Sequence, residues 1–174
     1  MKPILNKNFS QCQNALKNQG FCLTSIKLPP RLERLIEAEN FSEIDTIFEK
    51  LLRNKGELFE FLTQFSPYII EKIEHIISLR DAKDPNQEDG IWHDDGSRVL
   101  AFSLSLTKNQ VKGGVLEFKH KNSLESFKIK TPAYGEIIIF KTGHEDFEHK
   151  INKVTHGKRL IIAGWLYKFS GPDQ

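Results

Sequence analysis

The rhythm of apolar and polar positions changes near residue 80 of the 174-residue chain. Before that point apolar residues return at three- and four-residue steps, and after it they alternate. Residues 9–19 predict a short helix stopped at Gly20. Residues 21–28 predict a strand that ends at Pro29-Pro30, where a ladder cannot continue. Residues 31–39 and 42–54 predict two further helices, the second capped by Ser42 and stopped by Gly56. Ile44, Ile47, Phe48, Leu51 and Leu52 give that helix one apolar face. Ser66-Pro67 reads as the start of a last helix, with Ile69, Ile70, Ile73, Ile76 and Ile77 as its buried stripe. A polar loop, DAKDPNQEDG, fills residues 81–90.

Strands are predicted at 91–94, 99–107, 115–119, 124–130, 136–140, 147–153 and 159–169. Turn signals separate them at Gly96, Gly113-Gly114, Asn122-Ser123, residues 132–135, Gly143 and Gly157. Many short strands at close spacing suggest a sandwich or an open jelly-roll barrel. With helices first and strands second, the helices must cover one face of it. The expectation is one α+β domain over residues 1–174, with 1–80 mainly helical support and 91–169 the β core.

Composition narrows the class. Apolar residues make up 39% and charged residues 28%, the profile of a globular protein with an ordinary core. A net charge of +2 does not argue for nucleic acid as a partner. The apolar runs are too short to span a bilayer, and residues 1–20 lack the apolar stretch of a secretory signal, so a cytoplasmic location is expected. Cys12 and Cys22 form no C-x-x-C pair and are expected to be reduced thiols, as in the cytosol. The Lys-rich stretch from Lys108 to Lys130 reads better as a solvated edge strand guarded against pairing than as a docking surface.

Candidate chemistry opens the strand half, in IWHDDGSRVLAFSLSL. His93 and Asp95 are two residues apart, so an extended strand sends both side chains to one face, while Asp94 leaves toward solvent. An imidazole and a carboxylate delivered together make two metal ligands; on spacing alone a surface salt bridge is the competing reading. In the next strand Ala101, Ser103 and Ser105 alternate with Phe102, Leu104 and Leu106. The large face suits a core, and the small face suits a barrel interior that leaves room for a ligand. Near the end, EHKINKVTHGKRLIIAGWLY places His149 ten residues before Arg159, which shares a strand face with Ile161, Ala163 and Trp165.

Taken in order, H-x-D, then GGVLEF, then G-x-I-I-I-F, then His, Arg and Trp, residues 91–169 resemble the Fe(II)/2-oxoglutarate dioxygenase superfamily, and within it the prolyl-hydroxylase-like branch. The resemblance implies a double-stranded β-helix, a jelly-roll or cupin-like core. It implies Fe(II) held by His93, Asp95 and His149 as a facial triad, and 2-oxoglutarate with its far carboxylate on Arg159. It implies O2 as oxidant, ascorbate as an available reductant, succinate and CO2 as products, and hydroxylation of a substrate. By the same analogy that substrate is a protein or peptide side chain, proline first, with a small molecule as the other option. His149 has rivals in His144 and His156, but it best suits a ligand that must share one small cosubstrate with Arg159. Leu116 and Trp165 either line the pocket or merely pack. Where the branch often uses Tyr at the C5 carboxylate, this chain has Ser105, so Ser105 or Ser103 is expected to take over. The loop at 81–90, leading into the first ligand segment, is expected to be mobile and to close over substrate. Two alternatives stay open: a metal-dependent hydrolase on the same barrel, and a binding module without catalysis. Asp95 argues against a halogenase, which would want that place free for halide.

Overall fold

The computed structural model describes residues 9–87 and 89–169. Its helices are α1 (Phe9–Gln19), α2 (Arg31–Glu37), α3 (Phe41–Leu52) and α4 (Glu57–Thr63). Its strands are β1 (Phe21–Ser25), β2 (Ile70–Asp81), β3 (Leu100–Ser105), β4 (Lys112–Gly113), β5 (Leu116–His120), β6 (Phe127–Ile129), β7 (Glu136–Lys141), β8 (Phe147–Ile151), β9 (Val154–His156) and β10 (Lys158–Lys168). A five-stranded antiparallel sheet runs in the order β1-β7-β3-β10-β2. Opposite it lie a three-stranded sheet, β6-β5-β8, and the β4-β9 pair. This is the double-stranded β-helix, with helices against one face of the large sheet.

The alternation in the strands sorts the chain into two cores. Phe102, Leu104, Ile137, Ile139, Leu160 and Ile162 turn toward the helices, where they meet Ile44, Phe48 and Leu62. Ala101, Ile138 and Phe140 turn the other way and meet Leu116 and Phe118 of the small sheet. Sheet faces one residue out of phase thus bury apolar surface on both sides, and on β3 the interior between the sheets takes the smaller residues.

The helical reading of the N-terminal part is corrected in three places. The predicted helix after Ser66 is the long strand β2, paired over its length with β10. Its step from Ile73 to Ile77 fits both a helix and a strand, because four is even as well as near a helical turn. The surrounding β-branched residues favour the extended form, and β10 would otherwise lack a partner on that side. Ile73 and Ile77 face the helices, and between them His75 donates from Nε2 to the Asp45 carboxylate at 3.0 Å, so this histidine is on a strand and its side chain is largely covered. The N-terminal part is therefore more than a helical support: β1 and β2 are the two edges of the large sheet. The cap of α3 is Asn40, whose side chain accepts from the Glu43 N–H, not Ser42. Helix α4, with Leu58, Phe59, Phe61 and Leu62 buried and Glu57 and Glu60 exposed, spans only 7 residues, too few for its periodicity to mark it in the sequence.

Cys12 and Cys22 are joined in a disulfide, with Cα atoms 5.2 Å apart. Free thiols are thereby excluded, and so is the cysteine argument for a reducing compartment. The bridge ties α1 to β1 across the turn at Gly20. Among the described residues no helix is long and apolar enough to cross a membrane. The Lys-rich stretch is a neutralised surface: Lys108 pairs with Glu33 and Glu37, Lys119 with Glu148, and Lys121 with Asp94. Strand β6 is the edge of the small sheet, as the Lys pattern suggested.

The described residues of the loop before the first ligand segment are hydrogen-bonded to the stretch from Ile151 to Val154. Gln87, 8% exposed, donates to the carbonyls of Asp81 and Val154 and accepts from the Val154 N–H. Asp89 accepts from the Lys153 N–H, and Gly90 donates to the Ile151 carbonyl. A polar composition signalled mobility; one buried amide with three backbone bonds fixes the loop to β9 instead.

Because the helical layer and the inter-sheet interior are separate cores, they should fail separately. Phe48→Ala, at a fully buried position facing the sheet, is expected to cost about 3–5 kcal/mol of unfolding free energy. Urea denaturation should show that loss, while the folded fraction keeps the wild-type affinity for divalent metal.

Candidate active site

Strand β8 and the segment before β3 bring the first two candidate ligands together. His93 and His149 exchange both backbone hydrogen bonds, His93 N–H to the His149 carbonyl at 3.0 Å and the reverse at 2.9 Å. Only the bridge at His93 survives of the strand predicted at 91–94. The clamp sets the two rings 4.4 Å apart between centroids. Asp95 follows in the next turn, and ligand atoms of His93, Asp95 and His149 all lie within 4.8 Å of one another. His149 Nδ1 is 4.0 Å from Asp95 Oδ2. Both atoms are buried and have no hydrogen-bond partner.

Each ring is prepared for a cation. His93 Nδ1 is 2.9 Å from the Ile91 carbonyl oxygen. A carbonyl only accepts, so His93 donates from Nδ1 and keeps the Nε2 lone pair free. Burial, with His93 as a like-charged neighbour, lowers the His149 pKa to about 3, so its imidazole is neutral near pH 7. Burial raises the Asp95 pKa, opposed chiefly by the Trp165 indole beside its carboxylate. A desolvated carboxylate facing a neutral imidazole is a poor salt bridge and a good cation site. The donor set, two imidazoles and one carboxylate, fits Fe(II). Asp94 does turn away: it accepts from the Gly96 N–H and pairs with Lys121 at 2.5 Å.

Arg159 lies at the other end of the same barrel face and is 1% exposed. It stands opposite Arg80 in the β10–β2 ladder. Its Nε has no partner. Burial first, then repulsion from Arg80, lowers its pKa to about 10, with no carboxylate pulling the other way. It stays cationic at neutral pH, and a buried guanidinium without an anion among the described residues is prepared to receive one. Gly114 makes the space: a Cβ there would lie 2.7 Å from Arg159 Cδ, and its φ of +61° suits glycine. In sequence Gly113-Gly114 signalled only a turn.

The remaining candidates divide. Leu116 is 1% exposed in the inter-sheet core. Trp165 packs against that core, on the same rung as Ala101. Ser105 is already engaged, donating to the Pro132 carbonyl at 2.8 Å and accepting from the Thr107 N–H. Ser103 is buried and its hydroxyl has no partner. His144 reaches Tyr68 and His120 packs on Phe147, so neither joins the cluster; His156 is exposed on β9.

Arg98 escaped the sequence reading. Its guanidinium covers the Trp165 ring at 5.2 Å and donates to the Asp95 carbonyl at 3.0 Å and to the Tyr167 hydroxyl at 2.7 Å. Tyr167 in turn donates to Glu74. The Thr142 hydroxyl donates to the Arg98 carbonyl. This network fixes the turn that carries Asp95. Its members come from β2, β10 and the approach to β3, and no local spacing joins them.

Among curated proteins none is similar enough to match the chain. Solved structures are similar in fold. A prolyl-4-hydroxylase from Pseudomonas putida shares 17% identity at a TM-score of 0.66, over 97% of this chain and 99% of the other. A prolyl hydroxylase from Trichoplax adhaerens, in complex with a hypoxia inducible factor oxygen degradation domain peptide fragment, shares 14% at 0.59, over 91% and 88%. SnoK, a non-heme alpha-ketoglutarate-dependent carbocyclase from nogalamycin biosynthesis, shares 11% at 0.59, over 96% and 87%. Residues 81–167, half of the chain, match the 2OG-Fe(II) oxygenase superfamily. The chain belongs to that superfamily and is a dioxygenase that uses Fe(II), 2-oxoglutarate and O2.

Proposed function

We propose that this enzyme hydroxylates a protein or peptide side chain, proline first, with Fe(II) held by His93, Asp95 and His149 and 2-oxoglutarate held by Arg159. The observation that carries the reading is the buried guanidinium of Arg159, without a carboxylate partner among the described residues, in the same barrel as the two imidazoles and Asp95. A hydrolase would need the metal and a water but would give this arginine no anion to hold. A binding module would have no use for two desolvated ligand atoms beside a third ligand at one place.

When bound, the iron and cosubstrate supply the oxidising chemistry: 2-oxoglutarate is decarboxylated to succinate and CO2, and an oxygen atom enters a substrate C–H bond. The chain's part is preparation. His93 presents Nε2 because its Nδ1–H is spent on the Ile91 carbonyl. His149 needs no deprotonation at neutral pH. Asp95 brings one negative charge to the site, and Trp165 and Arg98 hold it in place from behind. Arg159 fixes the far end of the cosubstrate, and Leu116, Phe118, Ile138 and Phe140 keep water from the space between. Ascorbate would serve to return oxidised iron to Fe(II).

The peptide assignment draws on the Trichoplax enzyme, which binds a peptide, and on the Pseudomonas prolyl-4-hydroxylase. The carbocyclase shows that the fold also serves other chemistry, so substrate class needs its own test. Proline-containing peptides incubated with the enzyme, Fe(II), 2-oxoglutarate and air should gain the mass of an oxygen atom at proline. Turnover confined to free small molecules would contradict the peptide reading.

Two substitutions address the residues. Asp95→Ala should lower succinate formation by more than about 100-fold, since even outer partners of a metal are worth 10- to 100-fold. Wild-type succinate yields in that variant would remove Asp95 from the metal site. Arg159→Lys keeps the charge but loses the paired donors, and should raise the KM for 2-oxoglutarate about tenfold with a smaller effect on kcat. An unchanged KM would leave the buried guanidinium without the role given to it.

A further inference from the structure

The barrel is shut along one side and open along the other. Strand β1 of the large sheet faces the β6 and β5 side of the small one, where the Phe21 ring meets Phe127 at 5.2 Å and Phe118 at 5.7 Å. The opposite side is bounded by β2, the other edge of the large sheet, and by the segment at 90–93, which is bonded to the outer edge of β8. His93, at the end of that segment, is exposed, whereas His149 across from it is buried. Two apolar side chains on this side are also exposed, Ile76 of β2 at 49% and Ile91 at 79%. At the far end of β2 the side is covered, because the Ala82 N–H donates to the Gly157 carbonyl after β9. The opening therefore lies along the middle of β2.

Ile76 faces into this opening. His75 bonds Asp45 of α3, and Ile73 and Ile77 pack against the helices, whereas Glu74 accepts from Tyr167 of β10. Alternation puts Ile76 on the inner face with Glu74. In the ladder Ile76 shares a rung with Ala163 of β10 and, one strand further, with Ser103 of β3. The adjoining inner rung holds Glu74, Trp165 and Ala101, and the Trp165 indole lies beside the Asp95 carboxylate. At about 3.4 Å per residue, Ile76 stands about 7 Å along the sheet from that metal-end rung. Arg80 and Arg159 share the rung two inner positions the other way. An exposed isoleucine is ordinary by itself. This one is on the inner face of a barrel, between the metal end and the arginine end, on the side the barrel leaves open, with only a methyl group, that of Ala163, beside it.

We infer that Ile76 is a specificity-determining residue, the apolar wall against which the substrate side chain lies in the opening, and that it selects an uncharged side chain such as proline over a charged one. The inference rests on the function proposed above. A charged side chain placed there would give up water against Ile76, Ala163 and the Trp165 ring. The charges near it are spent: Glu74 is held by Lys72 and Tyr167, and Arg98 by the Asp95 carbonyl and the Tyr167 hydroxyl. A proline ring loses no hydrogen bond in the same contact and buries apolar area on Ile76. Ile76 offers no polar atom to a metal or to 2-oxoglutarate, so its effect falls on the third reactant.

The test uses the full-length enzyme with Fe(II), 2-oxoglutarate and air, and three five-residue peptides identical except for a central proline, lysine or aspartate. Product is measured by its mass and succinate in parallel. The wild type should oxidise the proline peptide at least about tenfold better in kcat/KM than either charged one. Ile76→Asp should raise the KM for the proline peptide about tenfold, leave the KM for 2-oxoglutarate as in the wild type, and narrow the gap between the proline and lysine peptides. Ile76→Val, which keeps the wall apolar, should retain most of the preference. Leu124→Asp, at a fully exposed position in the β5–β6 loop, should change none of these constants. A wild type that oxidises none of the three peptides overturns the peptide reading and this inference with it. A wild type that oxidises the lysine or aspartate peptide as well as the proline one leaves the peptide reading standing and overturns the apolar entrance. A proline-selective wild type overturns the Ile76 assignment alone if Ile76→Asp keeps its constants, if the KM values for peptide and 2-oxoglutarate rise together, if Ile76→Val is equally impaired, or if Leu124→Asp shows the same loss.

Discussion

Desolvation without compensation is the constraint around which this molecule is arranged. A buried polar atom that lacks a partner costs about 1–3 kcal/mol, and more when it is charged. The barrel interior holds such atoms on Asp95, His149, Ser103 and Arg159. Their environment drives the two titrating ligands toward forms that suit a cation: His149 is kept neutral by burial, and Asp95 is left with the indole of Trp165 as its main relief. Arg159 is cationic and has no ion pair among the described residues. A divalent metal and a dicarboxylate answer these needs together, one at each end of the same strand face.

Holding such groups in place requires a scaffold stiff enough to resist local rearrangement. Antiparallel pairing provides it. Strand β10 carries Arg159 at one end and Trp165 toward the other, and it is bonded on both sides, to β3 and β2. The His93–His149 bridge ties the ligand-bearing turn to β8. Arg98 then braces that turn by binding the Asp95 carbonyl while stacking on Trp165 and bonding Tyr167. The helices do not touch this chemistry; they cover the outer face of the large sheet and leave the inner face to the site.

Much of this was legible in the sequence, for physical reasons that also explain what was not. The alternation of small and large residues in β3 has a single structural meaning, and Phe102, Leu104 and Leu106 fall on the helix side as their size implied. His93 and Asp95 are close in sequence, so local geometry delivers them together, and His149 joins them in space. The isoleucines of β2 were ambiguous because positions four apart share a face in both a helix and a strand. The pinned loop at 81–90 was misread because its fixing bonds run to β9, far along the chain. Arg98 acts through Tyr167, 69 positions away, and Gly114 through Arg159, likewise remote in sequence, and spacing reports only on near neighbours. The disulfide between Cys12 and Cys22 depends on the turn at Gly20 bringing α1 back onto β1, which composition does not show.

The central claim is that three side chains converge on one metal ion. It is met most directly by a crystal structure of the protein grown without oxygen with Mn(II) in place of Fe(II), with the metal located by its anomalous scattering. The account predicts one strong peak bonded to His93 Nε2, a carboxylate oxygen of Asp95 and a ring nitrogen of His149. A fully occupied metal elsewhere, or one bound without His149, would contradict it.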